Sequence, residues 1–194
     1  MGQSLFGQQQ LSYHPPYLEK NCHYCHDQPG GNVKSYLSLV CIKCHQEATE
    51  QMVMSTRHSP FKFGQCSACH LPHVSTNNSL LKQPKSEICY GCHPDIKPEN
   101  FLFPHQENPC MLCHQPHAST ISKLLLGDPV VLCGEPCHSV AEHGRSNPYG
   151  FDVIDPNTNS ILTCTSSCHK PHGSDFKNQL AINPRDLCFK CHKL

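Results

Sequence analysis

Eight times in 194 residues this chain sets two cysteines two or three residues apart and follows the second with a histidine. Six copies read CxxCH and use Cys22 with Cys25, Cys41 with Cys44, Cys66 with Cys69, Cys89 with Cys92, Cys110 with Cys113, and Cys188 with Cys191. Two copies carry one more residue, with Cys133 and Cys137 in CGEPCH and Cys164 and Cys168 in CTSSCH. No cysteine is left over among the 16. With histidine at about 8% of positions, chance would place one after every pair with odds on the order of 10⁻⁹. A disulfide framework explains neither the fixed pairing nor the histidines. Structural zinc takes CxxC pairs two at a time and needs no histidine after each. CxxCH is the attachment signature of c-type haem: each thiol adds to a porphyrin vinyl group, and the imidazole that follows reaches the iron. Eight c-type haems are expected, with His26, His45, His70, His93, His114, His138, His169 and His192 as proximal ligands.

Eight histidines remain: His14, His23, His58, His73, His105, His117, His143 and His172. They supply one distal ligand per iron if every haem is bis-histidine. His73, His117 and His172 share a context, CHLPH, CHQPH and CHKPH, each just after a proximal histidine. So short a connection does not carry the second ring round the porphyrin edge to the other face of the same iron. Each of the three is therefore expected on a neighbouring haem. His14, His58, His105 and His143 precede a motif and fit the remaining distal sites. His23 lies inside CHYCH, and its role is open between a distal ligand and a ring facing solvent or stacked on porphyrin. Met52 and Met54 are the fallback, as thioether ligands that would raise that haem's potential.

The remaining composition suits a chain whose core is not built of side chains. Only 37% of residues are hydrophobic, tryptophan is absent, and there are 17 prolines. Porphyrins are large apolar plates, and eight of them are expected to form the core. The apo chain should then have no stable fold. Fifteen Lys and Arg balance 15 Asp and Glu, and two propionates per haem make the holoprotein acidic. That balance leaves no electrostatic footprint for nucleic acid or an anionic membrane. No apolar run approaches the ~18 residues of a membrane-spanning helix.

The motifs fall into four two-haem repeats, about 14–57, 58–104, 105–142 and 143–194, read as one domain. Repeats of this kind touch mainly their neighbours, so an elongated haem array is expected. The fold class is mostly irregular with short α-helices. One longer helix is expected from Val33 to Met54, because residues 32–59 contain neither glycine nor proline and Tyr36, Leu37, Val40 and Cys44 recur at helical spacing. FDVIDPNTNSILT, residues 151–163, reads as a small β-hairpin turning at Asp155 to Asn159.

Three segments align along the chain: CSACHLPHVSTNNSLLKQPKSEICYGCH, CMLCHQPHASTISKLLLGDPVVLCGEPCH and CTSSCHKPHGSDFKNQLAINPRDLCFKCH. Each opens on CHxPH and carries a leucine-containing patch between two motifs. In this, roughly from Tyr13 to the end, the chain resembles the doubled-CxxCH family of multihaem c-type cytochromes. Similar motifs occur in the pentahaem electron donor of nitrite reductase, in periplasmic subunits of porin–cytochrome conduits and in cytochromes that polymerise into extracellular filaments. The resemblance implies electron transfer. The first repeat departs from the pattern, reading CHDQPGG where the others carry CHxPH.

With two histidines on each iron, no coordination position is free for substrate, so electron hopping between haems is expected rather than catalysis. The competing class is a multihaem oxidoreductase of nitrogen-compound reductase type, which needs one open or lysine-ligated iron. No motif replaces its histidine with lysine. Expected partners are redox proteins that donate and accept electrons, with a homopolymer of the chain or a porin as further alternatives. Haem is attached to CxxCH outside the cytoplasm, which points to periplasm, outer membrane or cell surface. MGQSLFGQQQ lacks the basic and apolar regions of a secretory leader, so a leader is expected to have been removed or to fall outside this numbering.

Overall fold

The computed structural model describes residues 10–105, 109–134, 154–155, 159–161, 163, 166 and 168–190. Cys137, His138, His143, Cys164, Cys191 and His192 lie outside them. The described residues form short elements joined by irregular chain. There are seven α-helices of four to six residues: α1 Pro15–Leu18, α2 Leu37–Cys41, α3 Gln46–Gln51, α4 Ser59–Lys62, α5 Lys85–Tyr90, α6 Pro129–Gly134 and α7 Pro184–Phe189. Eight strands of two residues pair antiparallel: β1 Ser12–Tyr13 with β3 Val74–Ser75, β2 Thr56–Arg57 with β5 Ala118–Ser119, β4 Phe103–Pro104 with β8 Gly173–Ser174, and β6 Ile154–Asp155 with β7 Ser160–Ile161.

The first three pairs repeat one design. A strand, a histidine and then proline or irregular chain open each repeat, and that strand pairs with the one that follows CHxPH in the next repeat. The backbone N–H of His14 donates to the His73 carbonyl at 2.9 Å, His58 to His117 at 2.9 Å, and His105 to His172 at 3.1 Å. His14 and His58 are extended N-caps, and proline in the first turn presets the helical φ of α1 and α4. Both helices end in a Schellman-type closure: Asn21 N–H reaches the Pro16 carbonyl and Gln65 N–H the Pro60 carbonyl, each at 2.8 Å. The left-handed residue this requires is Lys20 (φ 60) in one and Gly64 (φ 65) in the other. A Cβ on Gly64 would collide with the Ser38 side chain. Gly64→Ala is therefore expected to destabilise the holoprotein by about 2 kcal/mol, while Lys20→Gly is neutral or stabilising; chemical denaturation of the two variants checks this.

After each CHxPH, a buried serine, Ser75, Ser119 or Ser174, closes the strand. Ser75 Oγ donates to the Leu81 carbonyl, and Ser174 Oγ to that of Phe176 at 2.8 Å. Both hydroxyls also accept a backbone N–H two residues on, from Asn77 and Phe176, each at 2.9 Å. Turns follow at residues 78–81, 122–125 and 177–180. In the turns Ser79 and Leu80, Lys123 and Leu124, and Asn178 and Gln179 all have positive φ, between 51° and 59°.

The single helix expected from Val33 to Met54 is in fact two, α2 and α3. Val33 is held by an antiparallel bridge to His26, so α2 begins at Leu37. At its end the N–H groups of Cys44 and His45 both return to the Cys41 carbonyl, at 3.2 and 3.1 Å, and His45 leaves helical geometry (φ −93, ψ 72). The CIKCH motif needs a turn of its own, which overrides the helical periodicity of the stretch. At the hairpin, Ile154 pairs with Ile161 and Asp155 with Ser160. Its turn is closed by Asn159 N–H on the Asp155 carbonyl at 2.8 Å. Residues 151–153, 156–158 and 162 of the expected hairpin lie outside the described ones.

By density of contacts the chain divides into two compact units, Met1–Cys89 with Pro116–Thr120, and Tyr90–Gln115 with Ile121–Leu194. Pro116–Thr120 belongs with the first unit because β5 pairs with β2 there. Among the described residues, Val40, Phe61 and Ala118 are the buried apolar side chains. Tyr36, Val53, Phe63 and Leu102 are largely exposed, and among the described residues no helix is long and apolar enough to cross a membrane.

Candidate haem-binding sites

The attachment motifs take two local forms. The first motif of each described pair is a 3₁₀ turn, at Cys22–Tyr24, Cys66–Ala68 and Cys110–Leu112. The second motif continues from a helix, with Cys41, Cys89, Cys133 and Cys188 in the last residues of α2, α5, α6 and α7. In the first form the N–H of His26 returns to Cys22 at 2.9 Å, His70 to Cys66 at 3.0 Å and His114 to Cys110 at 3.0 Å. Such a turn sets positions i, i+3 and i+4 on one face, so the two thiols and the imidazole of a motif share a side. Among the described residues no two cysteines are joined by a disulfide. Burial, then the nearby Cys66 and Cys25, push the Cys41 thiol up to about 11, which keeps it protonated.

The histidine rings stand in pairs. His45 faces His14 with centroids 6.0 Å apart and ring planes 12° from parallel. His26 faces His73 at 6.0 Å, His70 faces His117 at 6.0 Å, and His114 faces His172 at 6.1 Å. Metal–nitrogen bonds of about 2 Å on both sides, with ring centres about 1 Å beyond each nitrogen, separate two imidazoles by about 6 Å. The spacing therefore fits one six-coordinate iron between each pair, with a proximal ring on one side and a ring from outside that motif on the other. The CHxPH histidine stands against the first motif of the preceding repeat, while His14 stands against the second motif of its own repeat. The strand pairing produces both arrangements at once, because it hydrogen-bonds His14 to His73.

Further groups hold the distal rings. Tyr17 stacks on His73 and Phe61 on His117, each at 4.8 Å, from equivalent positions three residues after His14 and His58. His117 Nδ1–H also donates to Gln51 Oε1 at 3.1 Å. Burial first, then neighbouring imidazoles, lowers the pKa of His14, His117 and His172. These rings are thus held neutral, the form that ligates iron. Phe61 is 9% exposed, so Phe61→Ala is expected to cost the holoprotein about 3 kcal/mol and broaden the low-spin signal of one haem; denaturant unfolding and electron paramagnetic resonance check this.

His58 and His105 hold the same backbone position as His14. His93 follows α5 at the second motif of its repeat. His23 is exposed against Tyr24 at 4.6 Å. Met52 and Met54 are half-buried after α3, and the Met52 carbonyl accepts from Arg57. Tyr17, Phe61 and Gln51 escaped the sequence reading. The recurrence of HPPY and HSPF eight residues ahead of a motif was the available signal for the two aromatic residues.

Paired imidazoles beside CxxCH turns define a protein that binds c-type haem. The doubled CXXCH motif family matches residues 58–98 and 162–194. The multiheme cytochrome MtrA of Shewanella baltica is 42% identical over 57 residues, which are 28% of this chain and 17% of that protein. The acrylate reductase cytochrome subunit of Shewanella woodyi is 31% identical over 97 residues, covering 44% of this chain and 73% of that protein. The chain belongs to the multihaem c-type cytochromes. It spans well under two thirds of the MtrA relative, at 17% of its length.

Proposed function

We propose that the chain is an electron carrier with eight c-type haems, each iron closed by two histidines, and that it is not itself an enzyme. The observation that carries this reading is the recurrence of the 6.0–6.1 Å imidazole pair at four motifs. By their equivalence to His14, His58 and His105 serve second-motif irons, and His143 is assigned the same part in the last repeat. An iron with both axial positions filled offers substrate no bond, so the haem supplies one-electron outer-sphere transfer. The chain's own part is to fix distance and ring orientation. The His14–His73 hydrogen bond joins the distal ligand of one iron to that of another, and Cys41 lies near Cys25 and Cys66 of the two flanking motifs. Both observations support closely spaced haems through which electrons hop.

The S. woodyi relative is named as the cytochrome subunit of a reductase, which supports a catalytic subunit as one redox partner here. Because haem is attached to CxxCH outside the cytoplasm, the carrier is placed in the periplasm, the outer membrane or at the cell surface, with a porin or further copies of the chain as alternative partners. Intact mass should show eight haems, and the reduced protein should take up no carbon monoxide. Stoichiometric uptake would favour the oxidoreductase reading instead. Electron microscopy of the purified protein should show discrete particles, and filaments would turn the reading to a conductive homopolymer.

A further inference from the structure

Three type I′ turns built without glycine each aim one carbonyl at a proximal histidine. His70 Nδ1–H donates to the Ser79 carbonyl at 2.8 Å, His114 to Lys123 at 2.9 Å and His169 to Asn178 at 2.9 Å, always nine residues on. Each turn is locked to its motif by a small ladder. Leu71 N–H reaches the Leu80 carbonyl at 2.7 Å and Lys82 N–H the Cys69 carbonyl at 2.9 Å, and Gln115 and Leu126, then Lys170 and Ala181, repeat the two bonds. The first repeat reaches the same end by another route. A turn through Gly30 (φ 73) presents the Gly31 carbonyl to His26 at 2.7 Å, with Lys34 N–H on Cys25. Type I′ turns ordinarily take Asn-Gly, and each non-glycine residue in this conformation costs roughly 1 kcal/mol. Strain of this kind persists where surrounding structure over-determines it, often at functional sites. By contrast, His45 at a second motif is exposed, and among the described residues its ring makes no hydrogen bond.

We propose that these turn carbonyls are potential-setting groups for the irons at His26, His70, His114 and His169, and that they set these four apart from the iron at His45. This rests on the bis-histidine reading above. A carbonyl accepting the Nδ1–H fixes the tautomer and makes the imidazole a stronger donor, which favours ferric iron. First-motif irons then sit at lower potential than the second-motif iron at His45. Ser79, Lys123, Asn178 and Gly31 act through the imidazole, so they are positioning residues.

Proton NMR of the oxidised eight-haem protein in D₂O is expected to show axial Nδ1–H signals of His26, His70, His114 and His169 that resist exchange, while that of His45 exchanges at once. Equal protection of His45 and these four would overturn the distinction. Ser79→Pro, whose φ near −65° is incompatible with the turn, is expected to lose the His70 signal and move one step of the redox titration to higher potential. Ser79→Gly keeps both as in the wild type. An unmoved titration in a Ser79→Pro protein that has lost the His70 signal would also overturn the proposal. If Ser79→Pro does not yield holoprotein, the wild-type exchange experiment still decides. Fewer than eight haems or high-spin iron in the wild type would instead break the bis-histidine reading.

Discussion

His117→Ala is expected to turn one closed iron into an open one. The ring of His117 faces His70 at 6.0 Å, and Phe61 and Gln51 hold it there. Alanine removes the nitrogen but leaves Cys66 and Cys69 to hold the porphyrin, with His70 and the strand pair of β2 with β5 intact. The variant should therefore keep its full complement of haem by mass. Its reduced form should bind one carbon monoxide per chain where the wild type binds none, and its oxidised form should gain a high-spin signal. Added imidazole should abolish both changes. An unaltered spectrum with no carbon monoxide bound would remove His117 from the iron and with it the rule that CHxPH serves the preceding repeat. His73→Ala and His172→Ala should behave alike, opening the irons of His26 and His114.

The second large effect is expected on withholding haem. A chain of 194 residues must offset roughly 1–2 kcal/mol of backbone entropy for each residue it orders. Among the described residues three buried apolar side chains stand against that cost, and strands of two residues contribute few ladder hydrogen bonds. Expressed without haem attachment, the chain should show little amide dispersion by NMR, no cooperative thermal transition and rapid proteolysis. The holoprotein should show the reverse. A cooperative transition in the apo chain would place the core in side chains and contradict the porphyrin core.

How much of this was legible in advance differs from one feature to the next. The CxxCH pairs could be read directly, since a thioether motif is complete within five or six residues. The placement of His73 away from His70 followed from chain length alone. The hairpin near Asp155 announced itself through its turn residues. The stretch 33–54 forms two helices rather than the expected one because periodicity does not register the turn a haem motif imposes, nor the bridge that claims Val33. The turns at Ser79, Lys123 and Asn178 are hard to find from sequence: Asn178 suits left-handed geometry, but Leu80 and Leu124 carry no turn propensity, and the segment reads simply as a leucine-rich patch.

From its own residues, then, the chain determined which cysteines pair and which histidine follows each pair, because that chemistry is local and needs no fold. Which ring stands opposite which was decided by tertiary structure. His73 reaches His26, and His14 reaches His45, because a strand ahead of one repeat pairs with a strand inside the next, and the register of that pairing is a property of two distant segments together. The carbonyls behind the proximal rings belong to the same category. Their direction comes from left-handed backbone geometry held by a ladder to the motif, which Leu80, Lys123 and Leu124 do not encode.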